Sequence, residues 1–344
     1  MNEQAKRNPV GLKIKALFGK QEVGIFIIFI ALCCVISLIT SKFVKPQNII
    51  NILRQISLVG IMSVGQAMVI IVAGIDLSVG SVLAFSSCVV AVLARVMDPW
   101  VAMMIALAAG AFIGLLNGLM SVKIGIAPFI ATLGMMMMSR GVAFLITGGI
   151  PVKFNYPDSV GFLGGGAFQV GESLSLPMSI IIMLVVYAIG IVLLSKTVFG
   201  RNLYAVGDNE RSAKLSGINS DRVKITAYVA SGLMAALAGV LNVGNLTTAE
   251  AAAGDGIESN VIAAVVIGGV SMSGGQGSVV GILIGAAIMG VIKNAFILLN
   301  LKATWQTITI GFLIVLAVGI DCITKKYKAT KISNVNQTAV RKDN

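Results

Sequence analysis

Histidine is absent from the 344-residue sequence, and that gap removes much hydrolytic and metal chemistry. No Ser/His/Asp or Cys/His arrangement can form, and a His-based zinc site is excluded. Cysteine is scarce. Cys33, Cys34, Cys88 and Cys322 all lie in or beside apolar segments, with no metal-site or disulfide spacing, and read as small packing residues. Acidic residues number only 14, few ionisable groups fall inside the apolar stretches, and no acidic relay is visible, which counts against proton- or sodium-driven transport. A P-loop is missing as well: Gly19-Lys20 lacks both the preceding glycine and the following Ser or Thr, so the chain does not bind ATP in that manner.

What is present is apolar. Hydrophobic residues make up 57% and charged residues 12%, with a mean hydropathy of +0.95. A soluble domain of this size cannot hide that much apolar surface, so the expected class is all-α and polytopic. The patterning predicts ten membrane helices near 23–40, 57–73, 82–95, 101–122, 127–146, 177–194, 225–243, 261–270, 279–299 and 304–320. The first reads as a retained anchor and not a cleaved signal, because it is long and no small-x-small site follows it. Glycine, at 39 residues, suits close helix packing. Gly110, Gly114 and Gly118 form one ridge at four-residue spacing, and Gly277, Gly281 and Gly285 form another. The run Met135–Met138 reads as adaptable core packing.

The net charge of +12 sits mainly in residues 1–22, 196–224 and 325–344. That is the pattern of cytoplasmic topogenic charge, not of a nucleic-acid surface. Ten spans put both termini and the central loop inside, and the segments 147–176 and 245–260 outside. The expected organisation is one membrane domain over 23–324 between two basic cytoplasmic ends, the tail carrying Lys325, Lys326, Lys328 and Lys331. Residues 41–55 conflict with this scheme, since Lys42, Lys45 and Arg54 would lie outside; an amphipathic stretch against the outer surface is the reading that accommodates them.

Within the central loop, 208–215 reads as a short helix with Asp208 as its cap, Arg211 and Lys214 in its turns and Gly217 as its stop. Such a helix is either a solvated connector or a docking element for a cytosolic partner, and docking is the favoured reading. Asp76, between Gly74 and Gly80 at a helix break placed at or near the cytoplasmic side, is either a pathway residue or a cap for the helix that follows, with capping ahead. Asn117 and Gln66 read as interhelical hydrogen-bond partners, and Lys293 as a snorkelling cation at the outer interface.

Four stretches taken in order are more specific than any one: GIDLSVGS (74–81), APFIATLG (127–134), GRNLYAVGDNERSAKLSGI (200–218) and IAAVVIGGVSMSGGQGSVVGILIGA (262–286). Together they resemble the permease subunits of bacterial ribose-type sugar ABC importers, over about residues 23–325. Branched-chain amino-acid permeases belong to the same superfamily and look more distant.

The resemblance implies a helical permease of the bacterial plasma membrane, paired with a second copy. It implies a cytosolic ATPase with two fused nucleotide-binding domains, which would bind the ATP, and an extracytoplasmic sugar-binding protein. This chain would be a transport subunit without catalytic residues, metal or cofactor of its own. Carried over by motif, the coupling loop would include Gly200, Arg201, Gly207, Asp208, Asn209, Arg211, Ala213, Lys214, Ser216 and Gly217. Gly74, Asp76, Ser78, Gly80, Asn117, Glu258, Ser271, Gly274 and Gly275 would line the pathway or form structural breaks. One departure falls in the outer loop, where Asp255-Gly256-Ile257-Glu258-Ser259 replaces the family's Gly-Tyr-Glu-Leu-like stretch: the acid is kept and the aromatic lost, so the substrate can differ from ribose. The rivals to a monosaccharide or polyol importer are a nucleoside or branched-chain amino-acid permease, a self-sufficient secondary transporter, and, least favoured, an intramembrane enzyme.

Overall fold

The computed structural model describes residues 21–156, 158–170 and 174–340, and the side chains of these up to 323 apart from 21, 170 and 174. The N-terminal basic segment up to residue 20 and the lysines at 325, 326, 328 and 331 fall outside the residues or side chains described. The helices are α1 (Gln21–Ile39), α2 (Pro46–Ile71), α3 (Val79–Leu93), α4 (Pro99–Leu119), α5 (Pro128–Thr147), α6 (Val160–Gly165), α7 (Met178–Lys196), α8 (Val198–Asp208), α9 (Glu210–Leu215), α10 (Ser220–Leu246), α11 (Ile257–Ile267), α12 (Val279–Leu298) and α13 (Ala303–Val340). A π turn, Met120–Ile124, extends α4. Two small antiparallel pairs complete the described elements: β1 (Val152–Lys153) with β4 (Thr248–Ala249), and β2 (Ala167–Val170) with β3 (Leu174–Pro177).

Proline and short polar caps set the helix starts. Pro46, Pro99 and Pro128 each occupy the first turn, where a missing N–H costs nothing. Asp98 closes the start of α4 by accepting from the Trp100 and Val101 N–H groups.

Among the described residues, eight helices are long and apolar enough to cross a bilayer. The remaining two expected spans are real helices but short: 15 residues for α3 and 11 for α11. At 1.5 Å per residue these reach about 22 Å and 16 Å, against a hydrocarbon layer of about 30 Å. Each is reached through an irregular segment that enters the bundle, and that geometry shapes the site described below.

Burial grades outward from α2, whose span is 78% buried, to α1 at 11% and α13 at 6%. The outer helices show Ile28, Leu38, Phe312 and Val315 to their surroundings, as a lipid-facing surface does. The core holds α10 tightly against α4: a Cβ at Gly110 would meet the Gly232 carbonyl at 2.8 Å, and one at Gly118 the Ile225 Cα at 2.9 Å. Gly281 and Gly285 face the Gly268 and Ala264 carbonyls of α11 so closely that any side chain would overlap them.

Three expectations are corrected. Residues 41–55 are not a separate surface-lying stretch: 41–45 form a largely exposed turn over the buried Phe43, and from Pro46 onward they are the first turns of α2, with Ile50 and Ile52 buried. Asn48 of this helix exchanges hydrogen bonds with Asn294 on α12, at 3.0 and 2.9 Å. Pro46 starts a helix well before the apolar pattern becomes obvious, which is why the sequence pattern missed it. The segment 147–176 is not wholly loop, since it contains α6, β1, β2 and most of β3. The central loop is nearly all helix, divided at Asn209.

Candidate functional site

The site begins where α2 stops. Ala73 adopts a left-handed backbone (φ 58°), and the Ala73 and Gly74 N–H groups fold back to the Ile70 and Val69 carbonyls, both at 2.9 Å. That is a Schellman closure, and it leaves the Ile71 carbonyl without a helical partner. The Gly275 N–H supplies the missing bond at 2.9 Å. Gly207, in the last turn of α8, lies flat against the same carbonyl, and a Cβ there would overlap it and stand 2.6 Å from the Gly275 nitrogen. Gly274 (φ 85°) would meet the Gly207 and Ile71 oxygens at 2.8 and 2.9 Å, and Gly275 (φ 74°) the Asp208 Cα at 2.8 Å. Tyr204, also on α8, donates its hydroxyl to the Gly277 carbonyl at 2.9 Å. Three backbones therefore meet side-chain-free at one point: the end of α2, the end of α8 and the turn before α12.

From there the chain runs inward. Asp76 is fully buried and accepts from Ser78 twice, from its N–H at 2.9 Å and its hydroxyl at 2.6 Å. Its second oxygen accepts from Ser231 of α10 at 2.8 Å. Asn117 of α4 donates to the Ser78 hydroxyl at 2.9 Å. With the Gln66 amide oriented to satisfy its neighbours, that side chain bridges the Asp76 backbone N–H and carbonyl. One carboxylate thus ties the break to α4 and α10. A turn further on, the Ser81 and Ser139 hydroxyls join α3 to α5 at 2.7 Å.

The break ends against the turn before α11. A Cβ at Gly80 would stand 2.5 Å from the Gly254 carbonyl and 2.6 Å from Glu258 Oε2. Arg140 of α5 holds this turn by donating to the Ala251 and Ala253 carbonyls at 2.8 and 2.6 Å. Elsewhere, Ser271 donates to Asp321 on α13 at 2.8 Å.

The surface by α8 is built by α9. Asn209 caps α9, its Oδ1 accepting from the Ser212 N–H at 2.9 Å, while Thr197 caps α8. Ala213 is buried; Arg211, Lys214, Ser216 and Gly217 are exposed, and so is Leu215, at 83%. Glu210 fixes the helix by pairing with Lys224 of α10 (2.5 Å) and Lys214 (3.0 Å). The Lys224 hydrogen bond, followed by that of Lys214, holds the Glu210 carboxyl below its ordinary range. Glu210 in turn raises the Lys214 ammonium above its own.

The structure thus groups Gly74, Asp76, Ser78 and Asn117 in one buried knot, Gly80 with Glu258 in a second, and Gly207, Asp208, Gly274 and Gly275 in a third. Gly200, in the first turn of α8, lies against the Leu193 and Leu194 carbonyls at the end of α7, and Arg201 stays exposed. Two assignments change. Asp208 is the last residue of α8, and the neighbouring Asn209 is the cap of α9. Asp76 precedes the cap position of α3, which is Ser78, and it forms an Asx turn there. The break does not sit at one face either, since its ends touch α8 and the Gly254–Glu258 turn. Ser231, Arg140, Asp321, Ile71 and Leu215 escaped the sequence reading. The polar ones sit singly in apolar helices, and Ile71 contributes only a carbonyl.

The comparisons with known proteins agree with this architecture. A family model described as "Branched-chain amino acid transport system / permease component" matches residues 48–318. The chain is 40% identical over 296 residues to the ribose import permease protein of Escherichia coli strain K12, covering 86% of this chain and 92% of that protein. It is 40% identical over 305 residues to the ribose import permease protein of Bacillus subtilis strain 168 (88% and 92%), and 36% over 301 residues to an L-arabinose ABC transporter permease of Azospirillum brasilense (87% and 86%). No solved structure matches. The chain is a multi-pass membrane protein and belongs to the branched-chain amino acid transport system permease family, among that family's ribose-type ABC permeases.

Proposed function

We propose that the chain is the membrane-spanning subunit of an ATP-driven importer for a monosaccharide, a pentose such as ribose, a hexose or a related polyol. It lacks an ATP site; a cytosolic ATPase with two fused nucleotide-binding domains docks on α8–α9, and a second copy of the chain completes the path. An extracytoplasmic sugar-binding protein delivers substrate at the opposite end of the bundle. Both termini and residues 196–224 face the cytoplasm, and residues 23–324 form the single membrane domain.

The observation that carries this reading is the contact of Gly207 with Ile71 and Gly275. Through Gly207, α8 presses without an intervening side chain on the end of α2 and the turn before α12, and α9, which follows it directly, exposes Arg211, Lys214 and Leu215. Displacement of α8–α9 therefore moves α2 and α12 together, as alternation between two packed states requires. Names of relatives support the sugar; ribose and arabinose permeases are both similar over most of the chain.

The test is co-purification of the tagged chain from its own host membranes, followed by reconstitution. Recovery of a protein with two P-loops, and ATP-dependent uptake of labelled ribose once the binding protein is added, is the expected result. Uptake by the chain alone without ATP overturns it. A second reading, a branched-chain amino acid as substrate, rests on the family description; leucine uptake in the same vesicles distinguishes it.

A further inference from the structure

At the end of the bundle away from α8 and α9, a cavity of about 220 Å³ opens between α2, α11, α12 and the end of α10. Its polar lining is Arg54, Gln55, Asn245, Asn260 and Lys293, with no carboxylate among the lining residues. Arg54 Nε and Gln55 Oε1 are both buried there without a hydrogen-bond partner. Glu258 does not compensate the two cations, because its Oε2 is directed at Gly80. Lys293 is exposed at the rim, whereas Arg54 is only partly exposed, and its unmet guanidinium N–H in an apolar bundle is costly unless a counter-charge is present.

Depth fits the same reading. Arg54 lies eight residues inside the start of α2, about 12 Å, and Lys293 five residues inside the end of α12, about 8 Å. The volume is below the roughly 300–1,000 Å³ of sites for whole drug-sized ligands, which suits a compact group. The amides of Asn245, Gln55 and Asn260 stand beside the guanidinium, Asn260 already giving one N–H to the Gly256 carbonyl at 3.3 Å, and an Arg fork matches a tetrahedral oxyanion.

We propose that this cavity binds a phosphate-type anion, either the phosphate of an anionic phospholipid headgroup or free phosphate. The positive charge of Arg54, which is out of place under the inside-positive rule, is then the ligand's counter-charge and not a topological signal. The assignment does not depend on which solute the chain carries.

The full chain, purified in a neutral detergent, is melted with dioleoyl-phosphatidylglycerol against dioleoylglycerol, and with inorganic phosphate against chloride at equal ionic strength. A phosphate-bearing probe is expected to raise Tm by about 5 °C over its control at saturation. Arg54→Gln and Lys293→Gln are each expected to weaken that response tenfold or more in probe concentration. Asn260→Leu, which keeps both cations and narrows the cavity, does the same and serves if the charge variants fold poorly. Protection by the lipid alone assigns a headgroup; protection by inorganic phosphate assigns the free anion. Equal response to probe and control, or variants that respond as the native chain does, overturns the proposal.

Discussion

The Gly275 N–H completes the hydrogen bonding of the Ile71 carbonyl, 204 positions earlier in the chain, at 2.9 Å. The bond joins the last turn of α2 to the turn that launches α12, and Gly207 of α8 is wedged against both. Neither partner uses a side chain, so the contact depends on backbones approaching within van der Waals distance.

Gly207→Ala is expected to act on transport more than on assembly. The added methyl overlaps the Ile71 carbonyl and must push α8 away, at a cost of about 1–3 kcal/mol typical of overpacking. ATPase co-purification should persist, because the outer face of α9 is untouched, while sugar uptake falls at least tenfold. Uptake equal to that of the native chain would show that the three-backbone contact is dispensable.

Arg211→Glu together with Lys214→Glu reverses the charge of the exposed face of α9. It should abolish both ATPase capture and uptake. Leu215→Ser, which removes an exposed apolar group without touching charge, is expected to weaken capture more mildly. A transporter independent of an ATPase would keep its uptake in both variants.

Asp76 is the acceptor for Ser78 and Ser231, so Asp76→Ala leaves buried donors unmet at about 1–3 kcal/mol each. Asp76→Asn keeps one acceptor oxygen, and the Ser231 hydroxyl can turn to accept from the new amide. The alanine variant should therefore melt well below the asparagine variant. Equal melting temperatures would mean that the knot contributes little.

Glu210 links pH to the seating of α9. Its carboxyl is held below its ordinary value of 4.5 by Lys224 and Lys214, so its contribution is present above that value and is lost as pH falls through the lowered one. Lys214 is raised above 10.5, so its share is present at neutral pH and disappears only in strong alkali. Amide exchange in α9 should then speed up below about pH 4.5 in the native chain. In Glu210→Gln it should be fast, with no such acid step. An acid step that survives the substitution would assign it to another group.

Much of this protein could be read along the chain. Long apolar runs must be helices in lipid because every backbone polar group needs an internal partner, and that requirement is local. Hence the positions of α1, α4, α5, α7, α10, α12 and α13 follow from composition, as does the basic helix α9, whose cap shifts by one residue from Asp208 to Asn209. The four-spaced glycines mark faces that admit another backbone, though not which helix comes to them.

What only tertiary packing decided is how the interruptions are used. Asp76 looks alike in sequence whether it caps a helix or ties three together, because Ser231 and Asn117 are far away along the chain and carry no local signal. The apolar pattern predicts ordinary spans at α3 and α11, and only the fold shows that these helices stop at 15 and 11 residues with an irregular segment beside each. That Arg54 and Lys293 line one cavity is likewise decided by packing, since α12 brings together two cations 239 positions apart. Hydrophobic periodicity is a property of neighbours in sequence, while unpaired carbonyls and buried charges are settled by whatever the fold places beside them.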